Sequence, residues 1–224
     1  MLNCRRSNHI LGDVFFGSAF WFAVLILFFL IHLVLGVVNP MLKQLGKATF
    51  KLYGWTYQYD PALLSDKQVA IGFEHTSNRD AILSLALFQI MGLKIHTLIK
   101  KELFKGPLKP LLEALGGIPV DRNASKNIVT QMAQQFADHE KFTLVIAPEA
   151  TRAKDGETRK PIRTGFWHIV KAANVPIVLM FSDVKTKHGG LLGKIMPTDL
   201  ESDLLEIQRY YRTVGIEVLI PERK

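Results

Sequence analysis

Short apolar runs alternate along this chain with longer segments whose apolar residues recur at helical spacing. The runs are rich in strand-forming residues, and the periodic segments are typical of amphipathic helices. The alternation predicts an α/β fold with a mixed, largely parallel sheet flanked by helices. The predicted strands cover 53–59, 68–73, 94–99, 117–121, 142–147, 175–181 and 216–220, and the predicted helices cover 80–91, 108–115, 125–139, 165–173 and 200–212.

The segment from Val14 to Val38 departs from this alternation because it is apolar apart from Ser18 and His32 and carries no formal charge. As a helix it would span roughly 37 Å, enough to cross a hydrocarbon core of about 30 Å. A cleaved signal peptide is the alternative, since Arg5 and Arg6 precede the segment. Its apolar stretch is longer than a signal peptide needs, and no small-residue cleavage site closes it. The sequence therefore predicts a single N-terminal membrane helix.

The residues after this helix predict an amphipathic segment. Lys43, Lys47 and Lys51 recur every four residues, with Met41, Leu45 and Leu52 roughly opposite. Such a helix can lie at a lipid interface, although a solvated surface helix has the same pattern. We therefore divide the chain into a membrane anchor with an interfacial helix at 1–54 and a globular domain at 55–224. The basic residues that follow the membrane helix favour a cytoplasmic domain.

Net charge and cysteine count limit the kinds of partner and site that this chain can have. The net charge is +8 and the pI is near 9.6. The basic residues flank lipid-like segments and no nucleic-acid motif accompanies them, so a bilayer or a phosphate-bearing substrate is favoured over DNA or RNA. Cys4 is the single cysteine, which excludes a disulfide framework and a thiolate metal site.

Candidate chemistry begins at residues 75–80 (HTSNRD), between the predicted strand 68–73 and the predicted helix 80–91. His75 lies in the turn, and Asp80 lies in the first helical turn. The carboxylate can then orient one imidazole nitrogen while the other faces outward. This is the arrangement that a general base needs to deprotonate a hydroxyl.

Three further blocks follow in order: 116–122 (GGIPVDR), 147–152 (APEATR) and 175–178 (VPIV). Together with the HxxxxD block they resemble the glycerolipid (lysophospholipid) acyltransferase family. The resemblance runs from about Val69 to Arg212. One departure is Ala150, which stands where the family usually has glycine.

The resemblance implies a role for each block. His75 would be the general base and Asp80 its orienting carboxylate. Backbone amides near Gly117 and Ile118 would stabilise the oxyanion. The remaining candidates would bind substrate or hold the residues that do so: Arg122, Glu149, Thr151 and Arg152.

The resemblance also implies a reaction, the transfer of a fatty acyl group to the hydroxyl of a lysophospholipid. The first expected acceptor is 1-acylglycerol 3-phosphate, and the product is phosphatidic acid. Acyl-CoA or acyl-acyl carrier protein would be the co-substrate, with no metal and no other cofactor. The alternatives are another lyso-lipid acceptor, such as a lyso-ornithine lipid or a glycolipid, and a non-catalytic lipid-binding homologue.

Overall fold

The computed structural model describes residues 40–72, 78–106, 108–121, 125–148 and 161–221. All of them belong to one compact unit, which spans Val38–Lys224. None of the helices within these ranges has the length and apolar character needed to cross a membrane. The membrane helix predicted at 14–38 lies outside the described residues.

The described residues contain six α-helices, numbered here in chain order. Two of them, α5 and α6, have the predicted bounds. The bounds of α2, α3 and α4 differ from the prediction by one or two residues at an end, and α1 was predicted as an amphipathic segment without exact bounds. Their bounds are α1 Pro40–Tyr53, α2 Asn78–Met91, α3 Lys109–Ala114, α4 Ser125–Asp138, α5 Gly165–Ala173 and α6 Leu200–Arg212. Single 3₁₀ turns at Pro61–Leu63 and Lys101–Phe104 join neighbouring elements.

Seven strands in the described ranges form one sheet with the order β1-β7-β6-β2-β5-β3-β4. Their bounds are β1 Thr56–Gln58, β2 Lys67–Gly72, β3 Ile95–Lys100, β4 Gly117–Val120, β5 Phe142–Ile146, β6 Ile177–Asp183 and β7 His188–Ile195. The β6–β7 pair is antiparallel, and the other neighbours are parallel. The prediction of a mixed, largely parallel sheet flanked by helices is confirmed.

The core has two layers because side chains alternate across each strand. On one face of β2, Val69 and Ile71 pack with the apolar sides of α4, α5 and α6. On the other face, Ala70 packs with α1 and α2. The central strands are buried on both faces, as parallel sheets covered by helices require.

The strand prediction needs three corrections. β7 (His188–Ile195) was not predicted, and the predicted strand 216–220 forms no ladder. Ile216 and Val218 are buried in the core beside α6 instead. The predicted strand 53–59 shrinks to Thr56–Gln58, because Tyr53 is the last residue of α1.

Helix α1 forms where an amphipathic helix was predicted, and its packing is now visible. Leu42, Gly46 and Phe50 face α2 and are buried. The lysine stripe is exposed, and Met41 and Leu52 are also exposed, at 70% and 85%. The helix thus presents one face to the protein and leaves a second, mixed apolar and basic surface uncovered by the described residues.

Candidate active site

Four parallel strands, β2, β5, β3 and β4, lie side by side and end at the same edge of the sheet. Their last residues are Gly72, Ile146, Lys100 and Val120 respectively. The carboxyl edge of an open α/β sheet is where such folds bind their ligands. The first and third predicted sequence blocks begin just beyond this edge, and the second, 116–122, runs through β4 and reaches the edge with Asp121 and Arg122.

The base and its carboxylate follow β2. His75 comes three residues after the strand ends at Gly72, and it lies outside the described residues. Helix α2 begins at Asn78, so Asp80 is in its first turn as predicted, although its side chain lies outside the described set. The buried residues Ile82 and Leu83 fix the start of this helix against the sheet. The contact between His75 and Asp80 stays a prediction.

The third block follows β5, the immediate neighbour of β2. Ile71 is in register with Ile146, so the two strands reach the edge together, about 4.8 Å apart. Glu149, Thr151 and Arg152 follow Pro148 and lie outside the described residues. The Arg163 amide donates to the Pro148 carbonyl over 3.1 Å, so the chain returns to the point from which it left. The segment that carries the predicted base and the third block therefore leave the sheet from adjacent strands.

Gly117 and Ile118 lie inside β4 and are buried. The Ile118 side chain belongs to the core shared with α4, α5 and α6. A Cβ on Gly117 would lie 2.7 Å from the Leu112 carbonyl oxygen and 2.8 Å from Ile99 Cδ1. Glycine is therefore required here by packing, whatever its part in catalysis. The oxyanion role of these two backbone amides stays a prediction.

A residue pair at the end of β3 was missed as a functional feature. Lys101 Nζ contacts Asp121 Oδ2 at 2.5 Å, joining the residue after β3 to the residue after β4. The hydrogen bond and negative charge of Asp121 raise the pKa of Lys101. Arg122, which follows Asp121, lies outside the described residues. Asp121 and the exposed Glu102 offset the charge of Lys101, and Lys100, also exposed, lies beside this pair. The position of Lys101 after a predicted strand end was the signal available in the sequence.

Comparison with known proteins identifies the family. A family model described as Acyltransferase matches residues 60–181, more than half of the 224 residues. The chain belongs to the acyltransferase family. No curated protein matches this acyltransferase. Its fold is similar to the crystal structure of the 1-acyl-sn-glycerophosphate (LPA) acyltransferase PlsC from Thermotoga maritima, with a TM-score of 0.52 and 14% identity over 79% of this chain and 80% of that chain.

In this acyltransferase, the sheet brings to one edge the segments that follow β2, β5 and β4. The segments that carry His75 and Glu149–Arg152 leave neighbouring strands, and the one that carries Arg122 leaves β4, beyond β5 and β3. The catalytic and binding roles of these residues stay predictions. The VPIV block differs, because Ile177 and Val178 are core residues at the start of β6.

Proposed function

We propose that this chain is an O-acyltransferase that transfers a fatty acyl group from acyl-CoA or acyl-acyl carrier protein to the hydroxyl of a lysophospholipid. The observation that carries the proposal is the carboxyl edge, where the segments of His75 and Arg152 leave adjacent strands and β3 ends at the exposed Lys100. Membership of the acyltransferase family supports the reaction class.

The proposed chemistry needs one proton carrier. His75 takes the proton of the acceptor hydroxyl while the oxygen attacks the thioester carbonyl carbon. The tetrahedral oxyanion collapses, the carbon–sulfur bond breaks, and the imidazolium returns the proton to the departing thiolate. The products are the new ester and the free thiol of the carrier. Asp80 keeps the imidazole in the correct tautomer and stabilises its charged form.

The acceptor that we propose first is 1-acylglycerol 3-phosphate. Its phosphate suits the exposed ammonium group of Lys100 at the end of β3 and the planar guanidinium groups of Arg122 and Arg152, which can form bidentate hydrogen bonds. The acyltransferase whose fold is similar acts, by its name, on this acceptor. A lyso-ornithine lipid, a glycolipid and a purely lipid-binding role are the alternatives that the assay below separates.

We propose that the protein works at the bilayer. The apolar segment 14–38 would anchor it, with the catalytic domain on the cytoplasmic side where both donors occur. The exposed Met41 and Leu52 beside Lys43, Lys47 and Lys51 suit α1 to the interface with anionic lipid.

The test is acyl transfer by the full-length protein in detergent micelles. Each donor is offered with 1-acylglycerol 3-phosphate, a phosphate-free monoacylglycerol and a lyso-ornithine lipid, and both thiol release and the new lipid are measured. We expect the phosphate-bearing acceptor to be used best. His75→Ala should lower kcat by about 10²- to 10⁴-fold, the usual contribution of a general base.

His139→Ala is the matched control, because His139 is an exposed histidine just before β5, at the opposite edge of the sheet. It should leave kcat unchanged. Near-normal turnover in a folded His75→Ala protein would refute the mechanism. Preference for a phosphate-free acceptor would replace the phosphate assignment with one of the alternatives.

A further inference from the structure

Tyr211 is a polar residue that the proposed chemistry does not use. It lies near the end of α6, and its side chain is completely buried in the core. Its hydroxyl donates to the Met180 carbonyl oxygen at 2.7 Å and lies 3.1 Å from the Ile71 carbonyl oxygen. A tyrosine hydroxyl has one hydrogen, so the two carbonyl groups share it and the shorter contact is the stronger.

These two carbonyl groups lie at the carboxyl edge. Ile71 is the residue before the end of β2, and Met180 is paired with Gly72, the last residue of β2. The β6–β7 register shifts between Leu179 and Met180, so the regular ladder is also interrupted beside this point. The Tyr211 hydroxyl therefore ties β2 to β6 at the level where β2 ends, while β6 continues to Asp183.

At the end of β2, the pairing with β5 stops at Ile71 and the pairing with β6 continues to Gly72. Gly72 has no side chain, so packing can fix this residue only through its backbone. The chain then reaches His75 three residues later and enters α2 at Asn78. Ladder pairs and the Tyr211 hydroxyl therefore hold the residues from which the segment carrying His75 departs.

We propose that Tyr211 is a positioning residue for His75. Its hydroxyl holds the end of β2 from the side of the sheet opposite to α2, and so sets where the base meets the acceptor hydroxyl. This inference rests on the proposed function. A displacement of about 1 Å in a reacting group can cost 10²-fold in rate, so one remote hydrogen bond can be visible in turnover.

Tyr211→Phe removes the hydroxyl and keeps the ring. The matched control is Ile207→Val, which trims another fully buried side chain one turn earlier on the same helix. Ile207 belongs to the same core but has no polar group to tie to the strand ends. Both variants are also made with Lys187→Gly, which relieves the backbone strain of a lysine at φ 52 in the β6–β7 turn and so offsets part of any lost stability.

We expect Tyr211→Phe to lower kcat by about 10- to 100-fold, with donor and acceptor KM within about twofold of wild type. Ile207→Val should keep kcat within about twofold at a comparable loss of Tm. Amide hydrogen exchange should also quicken at the end of β2 in Tyr211→Phe and remain unchanged there in Ile207→Val. A residue that only stabilises the core would change Tm without this difference in kcat.

Normal kcat in Tyr211→Phe, or an equal loss of kcat in Ile207→Val, would overturn the inference. Wild type and His75→Ala are measured in parallel. If wild type transfers acyl groups, His75→Ala does not, and Tyr211→Phe is normal, only the role of Tyr211 fails. If wild type transfers no acyl group to any acceptor, the proposed function fails and takes this inference with it.

Discussion

Gly46 is the point where helices α1 and α2 come closest, and Gly46→Ala tests that approach. A Cβ placed on Gly46 would lie 2.6 Å from the Ala86 carbonyl oxygen and 3.0 Å from Ile90 Cγ1. The first neighbour is backbone of α2 and cannot rotate away. The added methyl group must therefore push the two helices apart.

Two effects of opposite sign set the magnitude. Alanine in a helix interior is favoured over glycine by about 0.8–1.0 kcal/mol. Overpacking a close contact typically costs about 1–3 kcal/mol, and a clash with backbone belongs in the upper part of that range. The packing cost should win, so we expect Gly46→Ala to lower the free energy of unfolding by about 1–2 kcal/mol, or Tm by about 2–8 °C for a chain of this size.

Gly165→Ala is the matched control. Gly165 is the first residue of α5, and nothing lies within 4 Å of the position where its Cβ would be. The same substitution there has only the conformational gain, so Tm should stay the same or rise slightly. Both variants and wild type are melted in the same detergent at one scan rate, with circular dichroism as the readout.

The opposite signs of these two expectations make the test strict. If Gly46→Ala is as stable as wild type, helix propensity outweighs packing there and α1 does not approach α2 as closely as described. If Gly165→Ala is destabilised as much as Gly46→Ala, the description of open space around Gly165 is wrong.

Two further predictions concern buried polar groups. Burial lowers the pKa of His96 from 6.5 to about 4, so the unfolded chain binds its proton more readily and stability should fall as pH drops from about 6.5 to 4. Because His96 is partly exposed, we discount the effect and expect the free energy of unfolding to fall by about 1–2 kcal/mol. Urea melts at pH 7 and pH 5 should differ less in His96→Phe, which keeps the stacking on Phe142. Asp203, 2% exposed, accepts hydrogen bonds from Trp167 and Thr198. Asp203→Ala should cost about 2–4 kcal/mol in the same melts, and Asp203→Asn less, because the Thr198 hydroxyl can turn to accept.

The sequence predicts an element well where the signal is local. Helix α6 has the predicted bounds because Asp199 caps its first turn through the Ser202 amide and apolar residues recur along one face. Helix α5 has the same regularity and ends at Asn174, which adopts the left-handed conformation common at helix ends.

Strand β7 was missed because the reasons for its glycines lie far away in the chain. Gly193 packs under the Tyr210 ring, where a Cβ would lie 2.5 Å from a ring carbon. A Cβ on Gly190 would overlap the Gln58 carbonyl oxygen. Glycine for close approach breaks the apolar alternation that marks a strand. Segment 216–220 has that alternation, but Ile216 and Val218 use it to pack against the core without a ladder.

The difference between local sequence signals and contacts between distant residues also applies to the candidate site. His75 and Asp80 stand out because five positions on one strand-to-helix turn bring two functional groups into one local motif. Lys101 and Asp121 are twenty residues apart, and only the pairing of β3 with β4 makes them neighbours. The Tyr211 contact with Ile71 joins residues 140 positions apart and has no local signal.

The pairing of β1 with β7 also constrains the order in which the chain can fold. Thr56 and His188 are in register but 132 residues apart, so β1 must wait for the C-terminal third of the protein. At a synthesis rate of about 5–20 residues per second, that interval is roughly 7 to 26 s. Parallel strands β2, β5, β3 and β4 and the β6–β7 hairpin can associate before or without β1. The first of the described strands is therefore the last that can be added to the sheet.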